Sequence, residues 1–369
     1  MKIAMLPRHP ERDTAAAELA AELGRQGHEV TVHARRDAPG PPDLDHPGPG
    51  VRVERVRAGP ECPLPEVELP PWVPEFGDLL ARRWAHDPPD VAHAHSWMSG
   101  LAALQASRLV GRTGHARVPV VQTYPGRPAR NRLERLVLQI SDAIIATCEK
   151  ELAELAEQGV AGRHVAVVPY GVDLDLFRPE GPARGQGRAA HRLVVLARRA
   201  ESKGAATAIE ALAGVPDTEL VVAGGLGAGA EGLRRTAREA GVDDRVTFLG
   251  RIGHDEVPGL LRSADLAVAL PWDEPFGMVP LEAMACGVPV VASGVGGHLD
   301  TVVGGVTGVH VPPRDPPETA RRIRDLLDDP VRRAGMAAAG AARARSRYSW
   351  DRVAGDTLAV YAGAGSVAA

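Results

Sequence analysis

A strand, a turn, a helix and a second strand follow one another within residues 266–292, and this pattern constrains the fold more than any other part of the chain. Residues 266–270 (Leu-Ala-Val-Ala-Leu) are typical of a buried strand, and residues 288–292 predict the next one. Between them, residues 280–286 predict a short helix that ends at Gly287. Two buried strands joined by a helix form a βαβ unit, so the sequence predicts a parallel sheet in an α/β protein.

The turn before this helix places polar groups in apolar surroundings. Backbone N–H groups at a helix N-terminus bind anions, and here they belong to Phe276, Gly277, Met278 and Val279. Glu274 precedes the turn and Glu282 is predicted in the first helical turn; each carboxylate can bind the vicinal hydroxyls of a sugar. One anion site between two diol acceptors is typical of a site for a nucleotide-diphosphate sugar. In the alternative interpretation, Glu282 only complements the helix dipole and Glu274 is a solvated loop charge.

Residues 274–282 (Glu-Pro-Phe-Gly-Met-Val-Pro-Leu-Glu), with the Ala-Met-Ala-Cys-Gly-Val-Pro-Val-Val-Ala that follows, resemble the paired-glutamate signature of retaining nucleotide-sugar glycosyltransferases. The most similar branch contains the inositol-phosphate N-acetylglucosaminyltransferases of mycothiol synthesis and sucrose-phosphate-synthase-like enzymes. The resemblance covers nearly the whole chain and is stronger after residue 169 than before it. It implies the GT-B fold, in which two Rossmann-like parallel-sheet domains have a cleft between them.

Length and charge agree with a two-domain enzyme. A chain of 369 residues exceeds what one hydrophobic core usually fills, and its net charge of -4 argues against a nucleic-acid partner. Three scattered cysteines, Cys62, Cys148 and Cys286, predict neither a disulfide framework nor a zinc site. No apolar run reaches membrane-spanning length, and the chain enters a strand at Lys2 without the apolar core of a signal peptide. We therefore expect a cytoplasmic protein without membrane insertion; the sequence does not indicate its oligomeric state.

The order of predicted elements suggests where the domains meet. Residues 2–33 predict a βαβ opening, and residues 38–50, rich in Pro, Gly and Asp, predict a loop. Residues 1–179 form the predicted acceptor domain and residues 192–347 the predicted donor domain, with residues 180–191 as linker. The resemblance further implies that residues 348–364 form a helix that crosses back to the first domain.

The donor domain opens with a pair of basic residues. Arg198 ends a predicted strand and Lys203 lies in the next turn, so both can reach a diphosphate at the carboxyl edge of the sheet. Their spacing resembles the family's Gly-Arg-Leu-x-x-x-Lys-Gly motif, and the resemblance implies that Arg251 and Ile252 lie near the nucleobase. A formal Gly-x-Gly-x-x-Gly at residues 227–232 lacks the acidic residue of a dinucleotide site, so it predicts no cofactor.

The acceptor domain departs from the family. Its first turn has no glycine, so the side chains of Arg8 or His9 could replace the expected backbone contacts. His93 and His95 share one face of a strand; they could line the cleft, pack internally or bind a metal. Thr123-Tyr124-Pro125 occupies the place where relatives have Thr-Phe-His-Ala, and both the first turn (residues 7–13) and residues 127–135 are shorter than the family pattern. These departures imply an acceptor that differs from those of the best-known relatives.

The resemblance implies transfer of a sugar from a UDP-sugar to a small-molecule acceptor with retention of configuration. Glu274, Arg198 and Lys203 would act catalytically, and the basic pair with the helix N-terminus would make a metal unnecessary. No Asp-x-Asp pair ends a predicted strand to hold one. Two alternatives remain: a protein of this fold that has lost transfer and acts as a binding partner, and a sugar-nucleotide epimerase.

Overall fold

In the computed structural model of this chain, residues 1–8, 13–40, 42–124, 126, 131–160, 165–185, 189–197, 204–225, 227 and 229–368 are described. They divide into two compact units. The first comprises Met1–Gly171 with Trp350–Ala369, and the second Val172–Ser349. The chain thus leaves the first unit before the predicted linker and returns to it at Trp350.

The first unit is an α/β fold built on an eight-stranded sheet. Its strands are β1 (Lys2–Leu6), β2 (Glu29–Arg35), β3 (Leu44–Gly48), β4 (Val51–Val56), β5 (Val91–Ala94), β6 (Val120–Thr123), β7 (Ala143–Ala146) and β8 (Val165–Val167). Its first five α-helices are α1 (Thr14–Arg25), α2 (Val73–His86), α3 (Trp97–Arg112), α4 (Arg132–Ile140) and α5 (Glu149–Glu157). Two short 3-10 helices, Glu66–Glu68 and Pro70–Trp72, lead into α2.

The order of strands in this sheet is β3-β4-β2-β1-β5-β6-β7-β8. All neighbours pair in parallel except β3 and β4, which are antiparallel. The order reverses at β1, which pairs with β2 on one side and β5 on the other, and such a reversal opens a crevice at the carboxyl ends of the strands.

The prediction of a continuous loop over residues 38–50 is wrong, because β3 forms within it. Every residue of β3 is exposed, and its pairing with β4 is irregular between Asp45 and Gly48, next to Pro47. Proline and turn-forming residues are tolerated at a sheet edge or irregularity, where a ladder hydrogen bond is not needed. The composition of this segment therefore predicted a loop where the structure has an edge strand.

The second unit contains a six-stranded parallel sheet. Its strands are β9 (His191–Leu196), β10 (Thr218–Ala223), β11 (Val246–Gly250), β12 (Leu266–Ala269), β13 (Val290–Ser293) and β14 (Gly308–Val311). Its α-helices are α6 (Ala205–Leu212), α7 (Gly229–Glu239), α8 (Val257–Arg262), α9 (Met278–Ala285), α10 (His298–Thr301), α11 (Pro316–Leu327) and α12 (Pro330–Arg347). The strand order β11-β10-β9-β12-β13-β14 is the doubly wound order of a Rossmann sheet.

The last helix, α13 (Trp350–Ala368), belongs to the first unit. Trp350, Val353 and Tyr361 are buried in a core cluster with Ile3 and Met5 of β1. The predicted return of the C-terminal segment to the first domain thus has a physical cause, since these apolar side chains cover one face of the first sheet. The prediction of two parallel-sheet α/β domains is confirmed. Within the described residues, no helix is both long and apolar enough to span a bilayer.

Candidate functional site

The carboxyl edge of the second sheet brings together most of the predicted donor residues. β9 and β12 are neighbours there, and the chain continues outward from them in opposite directions. Ligands of doubly wound sheets bind outside the strands at such a reversal. The turn after β12 leads directly into α9, so the N-terminus of α9 lies at this edge.

Gly277 determines where α9 begins. Its φ of 98° lies in the left-handed region, which strains any residue with a Cβ. A Cβ at this position would also lie 2.6 Å from Cδ2 of His298. The helix consequently begins at Met278, two residues before the predicted start at Pro280.

The earlier start changes the interpretation of Glu282. This residue is the fifth of α9, and the first turn of the helix contains no acidic residue. Because the helix dipole acts mainly within the first turn, simple complementation of the dipole does not account for Glu282. Its side chain is half-buried one turn beyond the N–H groups of Met278 and Val279.

A second glycine turn fixes the backbone around Glu274. The N–H of Gly297 donates to the carbonyl oxygen of Glu274 at 3.0 Å. A Cβ on Gly296 would lie 1.9 Å from that oxygen, and one on Gly297 would lie 2.4 Å from Cα of Phe276. The two loops are therefore in direct contact, which holds half-buried Glu274 and buried Phe276 next to the start of α9.

Two buried residues that the sequence analysis did not identify, His298 and Tyr348, lie against this loop. Nδ1 of buried His298 lies 3.1 Å from the carbonyl oxygen of Ser293, whose hydroxyl donates to the carbonyl of Pro271 at 2.7 Å. The ring of buried Tyr348 contacts Phe276 edge to face, with centroids 6.2 Å apart. His298 directly follows the double glycine, which is the one signal that could have indicated it. Nothing in the sequence links Tyr348 to Phe276.

The predicted nucleobase residues follow β11 at the same edge. Arg251 is exposed and Ile252 half-buried. The N–H of Gly224 donates to the carbonyl oxygen of Gly250 at 2.7 Å, and a Cβ on Gly224 would lie 1.9 Å from the carbonyl oxygen of Ala197. The ends of β9, β10 and β11 are thus packed closely together.

Arg198 and Lys203 fall in residues 198–203, which lie outside the described part of the chain. The residues on either side of this segment are described. Ala197 follows β9 directly, and Gly204 precedes α6 with a φ of 71°. A Cβ on Gly204 would lie 1.8 Å from the carbonyl oxygen of Leu270, so both flanks of the segment lie at the edge where α9 begins.

In the first unit, His93 is part of a buried hydrogen-bond network. It is 1% exposed, and its Nδ1 lies 2.8 Å from the hydroxyl of Tyr361 in α13. Its Nε2 lies 2.7 Å from Oγ1 of Thr123. Burial holds the pKa of this imidazole well below its usual range, so the ring is neutral. Since both nitrogens are engaged inside the unit, His93 and Thr123 serve internal packing rather than contact with a ligand.

His95 is half-buried just beyond the carboxyl end of β5, and Tyr124 is buried. The ring of His95 lies 4.3 Å from that of His93, and burial lowers its pKa. Its Nε2 has no hydrogen-bond partner within the described residues. Tyr124 is 1% exposed and donates to Oε2 of Glu154 at 3.1 Å, while burial raises its pKa. The packing interpretation is thus favoured for His93, whose two nitrogens are both engaged, whereas the observations do not assign His95 to it.

Among the described acceptor-side residues, Arg8 borders an open cavity. This cavity, about 250 Å³ in volume, lies at the carboxyl ends of β1, β2 and β5 in the first unit. The guanidinium of Arg8 forms an ion pair with Glu66. His9 lies outside the described residues.

Among the described side chains, no group of three or more His, Cys, Asp or Glu is placed to hold a metal ion. Cys286, in the helical motif, is 3% exposed, and burial raises the pKa of its thiol to about 12. This thiol is therefore a packed core group.

The two halves of the chain match the models of two protein families. Residues 188–343 match "Glycosyl transferases group 1", and residues 13–171 match "Glycosyl transferase 4-like domain". The first match contains the paired glutamates and the start of α9. The second covers most of the first unit.

Relatives cover almost the entire chain. A D-inositol 3-phosphate glycosyltransferase of Arthrobacter sp. (strain FB24) is 36% identical over 93% of this chain and 87% of that protein. The protein of the same name from Mycobacterium tuberculosis (strain F11) is 33% identical over 93% of this chain and 76% of its own length. The solved sucrose-phosphate synthase of Thermosynechococcus elongatus superposes with a TM-score of 0.83, at 26% identity and 98% coverage of both chains.

Proposed function

This chain belongs to the glycosyl transferases of group 1, and we propose that it moves a sugar from a UDP-sugar to a hydroxyl group of a small-molecule acceptor, with retention of anomeric configuration. The observation that carries this proposal is the start of α9 at the strand-order reversal of the second sheet, with Glu274 before it and Glu282 one turn inside it. An anion site beside two carboxylates suits a diphosphate joined to two sugars.

We assign the two carboxylates different partners. Glu282 accepts hydrogen bonds from the ribose hydroxyls, whereas Glu274 and the backbone at Phe276 to Met278 hold the hydroxyls of the transferred sugar. The rigid contact between the turn at Gly296 and the backbone of Glu274 supports this assignment, because a fixed backbone keeps a carboxylate aligned with its substrate. Backbone atoms at Arg251 and Ile252 bind the edge of the uracil.

The bond that breaks joins the anomeric carbon to the diphosphate. Its electron pair passes to the phosphate oxygen, and the acceptor oxygen forms the new bond on the same face of the sugar. The departing phosphate takes the acceptor's proton, so the step needs no separate base. Arg198, Lys203 and the N-terminus of α9 stabilise the charge that grows on the diphosphate, which is the role that a metal ion plays elsewhere.

Calorimetric titration of UDP and GDP without metal tests the donor site. We expect the wild type to bind UDP with a dissociation constant on the order of micromolar, and Glu282→Ala to weaken binding about tenfold or more through loss of charge-assisted hydrogen bonds. Glu210→Ala, which removes an exposed carboxylate from α6, is the matched control and should bind as the wild type does. Equal UDP affinity in Glu282→Ala and wild type would refute the assignment of Glu282.

Transfer itself needs a second measurement. Slow release of UDP from a UDP-sugar in the absence of acceptor is expected of a transferase, whereas neither an inactive binding partner nor an epimerase should release it. Absence of UDP release from any UDP-sugar, despite tight UDP binding, would contradict the proposed reaction.

A further inference from the structure

The cavity of the first unit lies where an acceptor would bind if the proposed function is correct. Pro7 and Arg8 follow β1, Asp37 follows β2, and Ser96 follows β5. These three strands are neighbours around the reversal of strand order at β1. Ligands of parallel α/β sheets bind outside the carboxyl ends of such strands.

Apolar side chains make up most of the cavity wall. They are Pro7, Ala38, Pro63, Leu64, Leu69, Trp72, Val73, Phe76 and Met98. Gly59 fixes the indole of Trp72, since a Cβ on this glycine would lie 2.4 Å from the ring atom Cδ2. Two aromatic rings, those of Trp72 and Phe76, therefore offer a preformed surface to a flat or ring-shaped ligand.

The basic groups that border the cavity already have partners. The guanidinium of Arg8 is paired with the carboxylate of Glu66. Arg35 donates from Nη1 to the carbonyl oxygen of Pro60 and from Nη2 to that of Cys62, both at 2.6 Å. Arg35 thus holds the loop that forms part of the wall with both terminal nitrogens, and the charge of Arg8 is already paired with a carboxylate.

The other titratable groups that line the cavity within the described part of the chain are a neutral histidine and an acidic residue. His33 is 4% exposed, and its pKa is lowered to about 3, chiefly by burial, so its ring is neutral at physiological pH. Asp37 adds a carboxylate that can accept a hydrogen bond from a ligand hydroxyl. The hydroxyls of Ser96 and Ser99 lie 2.8 Å apart and bond to each other. Among the described residues, Glu66 thus pairs with Arg8, and Asp37 adds a negative charge to the wall that also contains Arg35.

We propose that this cavity is the acceptor site and that it takes an uncharged, hydroxylated molecule with an apolar ring system. A phosphorylated acceptor would bring about two negative charges into a cavity whose cations, among the described residues, already have partners, and unpaired charge in apolar surroundings is strongly disfavoured. The Arthrobacter and Mycobacterium relatives are named for D-inositol 3-phosphate. This chain therefore departs from them in the class of its acceptor.

Calorimetry with two probes tests the proposal, with 2-naphthol as the neutral ring compound and D-inositol 3-phosphate as the phosphorylated one. Each is titrated into the full chain with and without saturating UDP. We expect wild type to bind 2-naphthol, and Phe76→Ala to weaken binding roughly tenfold because a ring contact is lost. Val67→Ala, at a side chain 84% exposed on the neighbouring short helix, should leave binding unchanged. Tighter binding of D-inositol 3-phosphate, or 2-naphthol affinity that does not respond to Phe76→Ala, would overturn the proposal.

A second variant pair tests the charge argument. Glu66→Gln removes the partner of Arg8 and frees its guanidinium, so affinity for D-inositol 3-phosphate should rise at least about threefold while that for 2-naphthol stays the same. Glu68→Gln makes the same change of net charge at an exposed position of the same short helix and is the control. An equal response of both variants would refute the role of Glu66.

UDP binding and binding of the two probes can succeed or fail independently of each other. If UDP fails to bind but 2-naphthol binds in a manner that depends on Phe76, the proposed transferase function fails and the ligand class of the cavity stands. If UDP binds and only the phosphorylated probe occupies the cavity, the function stands and the proposed acceptor class is wrong.

Discussion

Glu151 is a buried carboxylate whose protonation couples the stability of the first unit to pH. It is 2% exposed, and its Oε2 accepts hydrogen bonds from the N–H and hydroxyl of Thr147 at 2.5 and 2.8 Å. Burial raises its pKa from 4.5 to about 7 despite these bonds. The folded chain therefore holds this proton more tightly than the unfolded chain does. The resulting stabilisation is complete below pH 4.5 and is lost as the pH rises to about 7.

Glu151→Gln should remove this pH dependence, because an amide does not titrate. Relative to wild type, the free energy of unfolding of the variant should increase by as much as about 3 kcal/mol between pH 4.5 and pH 8. Urea unfolding at both pH values measures the change, and Glu157→Gln, at an exposed position of α5, should show none. A parallel pH dependence in wild type and Glu151→Gln would contradict the raised pKa.

Individual residues also show which properties of a side chain can be predicted from the sequence and which cannot. Glu274 and Glu282 were identified from their spacing around one helix start, because that chemistry is local. Glu282 was nevertheless placed one turn too early, since Pro280 signals a first turn without specifying its first residue. His93 was recognised as notable, but its packing role depends on Tyr361, which is 268 residues away in sequence.

The turn into α9 is the element on which the proposed donor site depends. Gly277→Ala would place a Cβ at a φ of 98° and 2.6 Å from the ring of His298. Backbone strain and overlap together should lower the free energy of unfolding by about 2–4 kcal/mol. UDP affinity should fall as well, because the N–H groups of the first turn shift. Chemical denaturation and calorimetry measure the two effects.

Gly335→Ala is the matched control for this substitution. Gly335 lies inside α12, and a Cβ there meets no atom within 4 Å. Alanine should therefore leave UDP binding unchanged and stabilise the helix by about 0.5–1 kcal/mol. If Gly277→Ala retained wild-type stability and affinity, the proposed geometry of the turn would be wrong.

Elements were predicted well where a buried strand alternates with an amphipathic helix, as in β12, α9 and β13. Periodicity and glycine punctuation are local signals that tertiary contacts reinforced. β3 was missed because its residues are all exposed and its composition is that of a loop. Only the neighbouring β4 gives that segment a partner for its backbone, and pairing of this kind is not encoded in side-chain periodicity.

The return of the chain to its first unit makes α13 essential to a core that is otherwise built from residues 1–171. Tyr361→Ala should lower the free energy of unfolding by about 3–5 kcal/mol, because it removes a fully buried ring and leaves His93 without its partner. Tyr361→Phe keeps the ring and should cost about 1–2 kcal/mol. Thermal unfolding of both variants, followed with and without UDP, measures the difference.

Tyr361→Ala should change stability without changing UDP affinity. Since Tyr361 belongs to the first unit and the donor residues to the second, UDP affinity of the folded Tyr361→Ala variant should equal that of wild type. Equal losses of stability in Tyr361→Ala and Tyr361→Phe would show that the ring contributes little. That result would contradict the assigned place of α13 in the core.

The sequence alone determined the α/β class, the presence of two domains and the paired-glutamate motif, because each depends on local patterns of apolar, glycine and charged residues. The metal-free reaction and the cytoplasmic location remain predictions. Only the tertiary structure decided that His93 is internal and that Arg8 is neutralised by Glu66, 58 residues away. The composition of the cavity wall was decided in the same way. The charge and hydrogen bonding of a side chain are set by the atoms around it, and those atoms come from distant parts of the chain.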